Sequence, residues 1–199
     1  MNLPNLLTAL RIILSPFFMF FFFLPMWAGQ RFTALSIIVC ILLFIVIEFS
    51  DLFDGIAARK CGQVTDFGKI FDPFADVILH LTTFVCFIKS YNPEISYTPI
   101  AVLLFIMLRE FSQNFLRMVA AKKGVAIAAR KGGKFKTVMY IVSEFYALLL
   151  ETFIRTDNIP ACFNTLKIIS VVLFIICVIC SYASFIDYLV HFGKVLKDN

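Results

Sequence analysis

Residues 32–59 read FTALSIIVCILLFIVIEFSDLFDGIAAR, an apolar segment whose acidic residues all lie towards its carboxyl end. A helix needs about 20 mostly apolar residues to cross the hydrocarbon core of a bilayer, and this segment is long enough. Because lipid offers no partner for backbone polar groups, such a segment crosses a membrane as a helix. The segment therefore predicts a transmembrane helix that brings carboxylates to one membrane surface.

The composition of the whole chain extends this prediction. Of the 199 residues, 61% are apolar, 25 are Phe and only 16% are charged, whereas soluble domains are about half apolar and about a quarter charged. The stretches that are long and apolar enough to span a bilayer, or nearly so, are Leu6–Trp27, Phe32–Ala57, Pro73–Tyr91, Tyr97–Ala120, Lys136–Phe153 and Thr165–Val190. We expect an all-α polytopic membrane protein in which residues 1–199 form a single domain of six transmembrane helices.

The basic residues fall mainly on one side of this arrangement, and loops rich in Lys and Arg favour the cytoplasm. One membrane face receives Arg59, Lys60, Lys69, Lys122, Lys123, Arg130, Lys131, Lys134, Lys136, Lys194 and Lys197. The other face receives Arg31, Lys89, Arg155 and Lys167. This asymmetry predicts that both termini and the functional site face the cytoplasm. Nucleic-acid binding is a poor interpretation of the net charge of +5, since the sequence contains no separate basic soluble domain.

Four aspartates at helical spacing lie at the end of the second apolar stretch and around the start of the third. Asp51 and Asp54 are three residues apart, and Gly68, Asp72 and Asp76 follow one another at intervals of four. Residues at these intervals share one face of a helix. Four converging carboxylates would repel one another unless cations lay between them. Hard oxygen ligands of this kind suit Mg²⁺ or Mn²⁺ and the chemistry of phosphoryl transfer.

Small residues lie beside the first two carboxylates. Gly55 and Ala58 leave the helix surface bare, so that a flat ligand or a neighbouring helix can approach closely. Arg59 is then placed to bind a phosphate through two parallel hydrogen bonds. The alternative is a structural cluster in which the carboxylates pair with Arg59 and Lys69.

The spacing of these residues resembles the signature D-x₂-D-G-x₂-A-R-x₈-G-x₃-D-x₃-D of the CDP-alcohol phosphotransferases. Every fixed position is matched, by Asp51, Asp54, Gly55, Ala58, Arg59, Gly68, Asp72 and Asp76. The resemblance covers the whole chain. It implies six helices, a cytoplasmic active site in the inner membrane of a bacterium, and a homodimer.

The resemblance also implies the roles of the aspartates. Asp51, Asp54 and Asp72 would hold two metal ions, Mg²⁺ or Mn²⁺, while Asp76 would act both as a ligand and as the general base. The cations and Arg59 would hold the diphosphate of a CDP-linked lipid, with Gly55, Ala58 and Gly68 lining its site. An alcohol that loses its proton to the base would attack the lipid-side phosphorus, and CMP would leave.

The amino terminus reads Asn2-Leu-Pro4-Asn5-Leu-Leu-Thr8-Ala-Leu-Arg11, which resembles the P-N-x-L-T-x-x-R opening of phosphatidylglycerophosphate synthases within this family. By that resemblance Thr8 belongs to the CDP-lipid site. Physically, the segment predicts an interfacial helix whose Arg11 reaches the cytoplasmic headgroup layer. The alternative is a segment that only leads the chain into the membrane.

An Arg-Glu pair, Arg109-Glu110, interrupts the fourth apolar stretch. A cation at this depth is costly unless it lines a polar cavity. We interpret Arg109 as a ligand of the phosphate of the acceptor, with Glu110 helping to hold it. The alternative is an internal ion pair with Glu48 or Glu144.

The fifth stretch opens with Gly133-Lys134-Phe-Lys136-Thr137, which resembles the G-K-x-K-T of phosphatidylglycerophosphate synthases. Lysines at a helix start bind phosphate well, although positive charge on the cytoplasmic side alone would also explain them. Arg109, Lys134 and Lys136 together favour glycerol 3-phosphate as acceptor of the phosphatidyl group of CDP-diacylglycerol. Two departures from the resemblance, Val77 and Tyr140, lie near the expected acceptor site.

Other functions remain open at this point. A sister enzyme could use inositol phosphate, serine or phosphatidylglycerol as acceptor, and a transporter or scaffold could use the intramembrane charges for an ion pathway. His80, one turn beyond Asp76, is interpreted mainly as a hydrogen-bonded structural residue. Glu48, Glu144 and Asp187 are expected to line a cavity or to pair between helices.

Overall fold

The structure is a computed structural model that describes the backbone of residues 3–60, 66–124 and 131–193, and the side chains of residues 5–50, 68, 70–124 and 132–193. The regular secondary structure of the described residues consists of α-helices and a short 3₁₀ helix at Gln30–Phe32, joined by non-helical links. The α-helices are α1 (Leu3–Ala28), α2 (Thr33–Lys60), α3 (Asp66–Ile88), α4 (Ile100–Lys122), α5 (Lys131–Arg155) and α6 (Phe163–Phe192). The prediction of an all-α fold is confirmed.

Five of these helices, all but α4, are long and apolar enough to cross a membrane by length and composition. Helix α4 is 23 residues long, but its apolar sequence is interrupted by Arg109, Glu110, Arg117 and Lys122. The buried side chains of α4 include the first two of these. The count of six spans therefore stays a prediction, and it depends on α4.

The third helix begins earlier than the apolar pattern predicts. Its predicted first residue was Pro73, whereas α3 begins at Asp66 and carries Pro73 inside it. Proline lacks an N–H group and frees the carbonyl four residues earlier, but it does not have to end a helix. Hydropathy detects only the part of a helix that lies in lipid, so the polar first turns were missed. As a consequence, Gly68 and Asp72 belong to the same helix as Asp76.

The helices pack with α1 along both α2 and α3, α5 along α6, and α4 between α3 and α6. Aromatic residues fill much of the interior, including Phe22, Phe84, Phe87 and Phe174. Large apolar side chains also cover the outside of the bundle, as expected for helices that face lipid. Most of the buried charges point inwards, where they pair with one another, as intramembrane charges do.

One buried ion pair ties several elements together at the end of the bundle where α3 stops. Glu151 and Arg155 of α5 pair at 2.8 Å and are both buried. The Glu151 carboxylate accepts hydrogen bonds from the Ser90 and Tyr97 hydroxyls and from the Tyr91 amide. The Arg155 guanidinium also donates to Ser36 of α2 and to the Phe22 carbonyl of α1. This network fixes α1, α2 and the α3–α4 link against α5.

Candidate functional site

Helix α3 presents two of the motif aspartates on one face, because Asp72 and Asp76 are separated by one turn. Their side chains are 46% and 31% exposed, respectively. Gly68, one turn earlier, is buried. The predicted alignment of these three positions on one helix is confirmed, whereas their roles in binding metal and CDP-lipid stay predictions.

Helix α1 supplies the partners of both carboxylates. The Thr8 hydroxyl donates to Asp72 Oδ1 at 2.6 Å. The Arg11 guanidinium donates to Asp76 Oδ1 at 2.5 Å and lies 4.0 Å from Asp72 Oδ1. Charge-assisted bonds of this kind are the strong ones, so the amino-terminal helix is part of the site.

The prediction that Arg11 reaches the headgroup layer was wrong. Arg11 is fully buried, because the carboxylate of Asp76 draws the guanidinium into the bundle and compensates its charge. Sequence reasoning missed this partner, although the spacing of Thr8 and Arg11 by three residues could have indicated it, since such residues share a helix face. Thr8 lies beside the motif aspartates, as expected for a residue of the CDP-lipid site.

The first half of the motif lies on the last turns of α2. The backbone of these turns is helical, whereas the side chains of Asp51, Asp54, Gly55, Ala58 and Arg59 lie outside the described residues. The convergence of four carboxylates therefore stays a prediction.

The described half of the motif fits a divalent cation. Only Oδ1 of Asp72 accepts a hydrogen bond within the described residues, so its second oxygen is open to a ligand on a half-exposed side chain. Hard cations such as Mg²⁺ prefer carboxylate oxygens as ligands, and this oxygen is available to one.

A second polar cluster lies between α4 and α5, around the carboxylate of Glu110. Glu110 Oε1 accepts hydrogen bonds from Arg109 Nη1 at 2.8 Å, Lys136 Nζ at 2.8 Å and the Tyr140 hydroxyl at 2.9 Å. The Arg109 Nε also donates to the Ser181 carbonyl of α6 at 2.8 Å. Glu110 is only 3% exposed. Two cations share one carboxylate here, so this cluster by itself has an excess of positive charge.

The contacts in this cluster bear on the two interpretations of Arg109, as a ligand of a phosphate or as the partner of Glu48 or Glu144 in an ion pair. Among the described residues Arg109 pairs with its own neighbour, Glu110, and with the Ser181 carbonyl, and not with Glu48 or Glu144. Arg109 and Lys136 are brought together, as the shared role in binding a phosphate requires. Lys134 is exposed in the first turn of α5 and lies outside this cluster.

The two clusters are connected through Tyr140, one of the two departures noted above. Lys136 Nζ lies 4.7 Å from the centre of the Tyr140 ring, and this ring meets the His80 ring edge-on at 5.3 Å. His80 follows Asp76 by one helical turn. The excess positive charge of α4 and α5 is therefore adjacent to the aspartate face of α3.

His80 belongs to a third polar group in the interior. Its Nδ1 lies 3.0 Å from each carboxylate oxygen of Glu144, and the Thr83 hydroxyl donates to the same carboxylate. Potential metal-ligating atoms of Glu48, His80 and Glu144 lie within 4.8 Å of one another. The sequence interpretation of His80 as a hydrogen-bonded interior residue agrees with this geometry. The meeting of these three side chains was not predicted, because it depends on how α2, α3 and α5 pack.

Comparison with known proteins agrees with the motif. The family model described as CDP-alcohol phosphatidyltransferase matches residues 1–183. A protein of Treponema pallidum named CDP-diacylglycerol–glycerol-3-phosphate 3-phosphatidyltransferase is 33% identical over 99% of this chain and 92% of its own length. Proteins of the same name from Bacillus subtilis and Rickettsia typhi are each 35% identical, over 74% and 69% of this chain and over 77% and 71% of their own lengths. The chain belongs to the CDP-alcohol phosphatidyltransferase family.

Proposed function

We propose that the protein transfers the phosphatidyl group of CDP-diacylglycerol to glycerol 3-phosphate, giving phosphatidylglycerophosphate and CMP. The observation that carries the proposal is the buried excess of positive charge at Arg109 and Lys136, adjacent to the aspartate face of α3. An acceptor that is itself a phosphate suits such a place, and an uncharged acceptor would leave the charge uncompensated. The names of the three relatives, which contain the same donor and acceptor, support this choice.

The donor half of the reaction belongs to the aspartate motif. Asp51, Asp54, Asp72 and Asp76 are proposed to hold Mg²⁺ or Mn²⁺, with two ions bound. When bound, these ions would neutralise the diphosphate and stabilise the charge that develops during transfer. The residues proposed to bind the CDP-lipid are Thr8, Gly55, Ala58, Arg59 and Gly68. The hydrogen bond from Thr8 to Asp72 supports the inclusion of α1 in this site.

Asp76 is the proposed general base. It takes the proton of the acceptor hydroxyl while the oxygen of that hydroxyl forms a bond to the lipid-side phosphorus. The bond between this phosphorus and the bridging oxygen breaks, and CMP departs with the electron pair. Arg11 holds the Asp76 carboxylate through Oδ1, which orients it for the transfer.

The acceptor half is assigned to α4 and α5. Arg109, Lys134 and Lys136 are proposed to bind the phosphate of glycerol 3-phosphate, with the exposed Lys134 at the start of α5 and the other two buried deeper. Glu110 positions the two buried cations, because it accepts a hydrogen bond from each.

The test is CMP release by the purified protein with CDP-diacylglycerol, Mg²⁺ and one acceptor at a time. Glycerol 3-phosphate is expected to stimulate release, whereas inositol phosphate, serine and phosphatidylglycerol are not. If only one of the latter three stimulated release, glycerol 3-phosphate would be rejected as the acceptor. If no acceptor gave metal-dependent release, the proposal that the protein is this enzyme would be rejected.

A matched pair of variants accompanies this assay. Asp76→Asn is expected to lower the rate about 100-fold or more, the usual contribution of a general base. Asp157→Asn makes the same chemical change in an exposed turn with a φ of 57°, a conformation that Asn adopts readily. This control should keep the full rate, and a normal rate in Asp76→Asn would refute its role.

The proposed setting is a homodimer with six spans per chain in the inner membrane of a bacterium, with both termini in the cytoplasm. In this orientation the exposed Cys162, between α5 and α6, faces outwards. A membrane-impermeant maleimide added to intact cells should therefore label the protein, and Cys162→Ser should remove that label. If Cys162 were labelled only after lysis, the proposed orientation would be wrong and the termini would lie outside the cytoplasm.

A further inference from the structure

The interior between α4 and α6 contains two buried polar side chains whose hydrogen-bonding atoms have no partner in the part of the chain that the structure describes. Gln113 is 2% exposed, and neither its Nε2 nor its Oε1 is bonded. Ser184 is 3% exposed, and its Oγ has no partner. A buried polar group without a partner costs about 1–3 kcal/mol, so such groups are rare in native proteins. Their concentration here indicates that something else binds them.

The contacts between α4 and α6 place the two side chains at the same level. Arg109 Nε donates to the Ser181 carbonyl at 2.8 Å, and Arg117 Nη2 donates to the Tyr188 hydroxyl at 3.3 Å, two turns further along both helices. The two unpartnered residues lie between these contacts, on α4 and on α6 respectively. They therefore occupy one polar space along this interface.

The start of α5 packs against α6 beside Ser184 through two glycines. A Cβ atom placed on Gly132 would lie 3.7 Å from Ser184 Oγ, and one placed on Gly133 would lie 3.8 Å from the Tyr188 hydroxyl. The absence of side chains at both positions keeps the helix surface bare next to Ser184. Lys136, one turn after Gly132, belongs to the Glu110 cluster, so the polar space adjoins the proposed site of the acceptor phosphate.

The chemistry of Gln113 selects the ligand. Its amide offers one acceptor atom and one donor group, and both are unpartnered within the described residues. A phosphate dianion accepts hydrogen bonds but donates none, so it would leave Oε1 unpaired. A hydroxyl group next to a phosphate satisfies both atoms, since the hydroxyl donates to Oε1 and a phosphate oxygen accepts from Nε2. Glycerol 3-phosphate carries such a hydroxyl on its middle carbon when its terminal hydroxyl reacts.

We propose that Gln113 and Ser184 bind the middle hydroxyl of glycerol 3-phosphate, the one that does not react, and so determine the specificity for the acceptor. This inference rests on the proposed function. The basic residues recognise only the phosphate, so they cannot distinguish one phosphorylated acceptor from another. Gln113 on α4 and Ser184 on α6 would make that distinction.

The experiment compares glycerol 3-phosphate with 3-hydroxypropyl phosphate, which has the same terminal hydroxyl and phosphate but lacks the middle hydroxyl. For the wild-type protein we expect kcat/KM for CMP release to be about 30-fold higher with glycerol 3-phosphate, the effect of leaving buried polar groups unpaired. In Gln113→Met and in Ser184→Ala the ratio should fall to about threefold or less. The fall should come from a larger loss of rate with glycerol 3-phosphate than with the analogue, and in Ser184→Ala the rate with the analogue should stay near that of the wild type.

Ser112→Ala is the matched control, because this serine is on the exposed side of α4 and its hydroxyl bonds to the Leu108 carbonyl. It should keep the wild-type ratio. Size-exclusion chromatography in detergent checks that each variant is folded, and either Gln113→Met or Ser184→Ala suffices for the test. A wild-type ratio near one, or an unchanged ratio in the folded variants, overturns this inference alone. A wild-type protein that ignores glycerol 3-phosphate overturns the proposed function and this inference together.

Discussion

The carboxylate of Glu110 compensates one of the two buried positive charges between α4 and α5, and Glu110→Gln removes this compensation with almost no change of shape. In the native cluster one carboxylate faces two cations, Arg109 and Lys136, at 2.8 Å each. The substitution leaves both cations buried next to a neutral amide. Breaking a buried ion pair by removing one partner costs about 3–5 kcal/mol, because the other charge stays uncompensated.

For a chain of this size each kcal/mol corresponds to about 2–4 °C in Tm. We therefore expect Glu110→Gln to lower Tm by roughly 10 °C. The assay is thermal unfolding in detergent, followed by size-exclusion chromatography after heating. Glu94→Gln, the same change at an exposed position of the α3–α4 link, is the control and should leave Tm unchanged.

The double variant Glu110→Gln/Lys136→Met separates charge from packing. It removes the second cation and restores the original net charge of the cluster. The decrease in Tm relative to the wild type should therefore be at most half of that in Glu110→Gln. CMP release should not return, because Lys136 is a proposed ligand of the acceptor phosphate. The electrostatic argument is refuted if Glu110→Gln is as stable as the control, or if the double variant is no more stable than Glu110→Gln.

Three further predictions concern the aspartate site and the opposite end of the bundle. Removal of divalent cations with EDTA should abolish CMP release, and Mg²⁺ or Mn²⁺ should restore it; activity in the chelator would contradict the metal assignment. Arg11→Gln should lower kcat about tenfold through loss of the charge-assisted bond to Asp76, and less Mg²⁺ should be needed for half-activation, since a competing cation is gone; an unchanged metal titration would speak against this. Glu151→Gln should destabilise the protein by about 3 kcal/mol or more, with KM for glycerol 3-phosphate unchanged; a raised KM would mean that the network with Arg155 reaches the site.

The donor half of the site was accessible from the sequence because its geometry is local. Residues four apart on one helix share a face whatever surrounds them, so the alignment of Asp72 with Asp76 followed from their spacing. The boundary at Pro73 was less accessible, because hydropathy reports contact with lipid and not helical conformation.

The partners of these residues were not accessible in the same way. Arg11 and Asp76 are 65 residues apart, and Glu110 and Lys136 are 26 apart. Which polar side chains meet inside the bundle depends on how the helices rotate and slide against one another. The direction of Arg11 was mispredicted for this reason, since its own helix alone suggested the headgroup layer.

The sequence by itself therefore determined the helical membrane fold and the aspartate motif, because lipid requires internally satisfied backbones and helical periodicity fixes which neighbours share a face. Only the tertiary structure decided that Arg11 meets Asp76, that Glu110 binds two cations, and that Gln113 and Ser184 find no partner among the described residues between α4 and α6. The contacts of Arg11 with Asp76 and of Lys136 with Glu110 join residues 65 and 26 positions apart, and packing between helices leaves no periodic signal in a single chain.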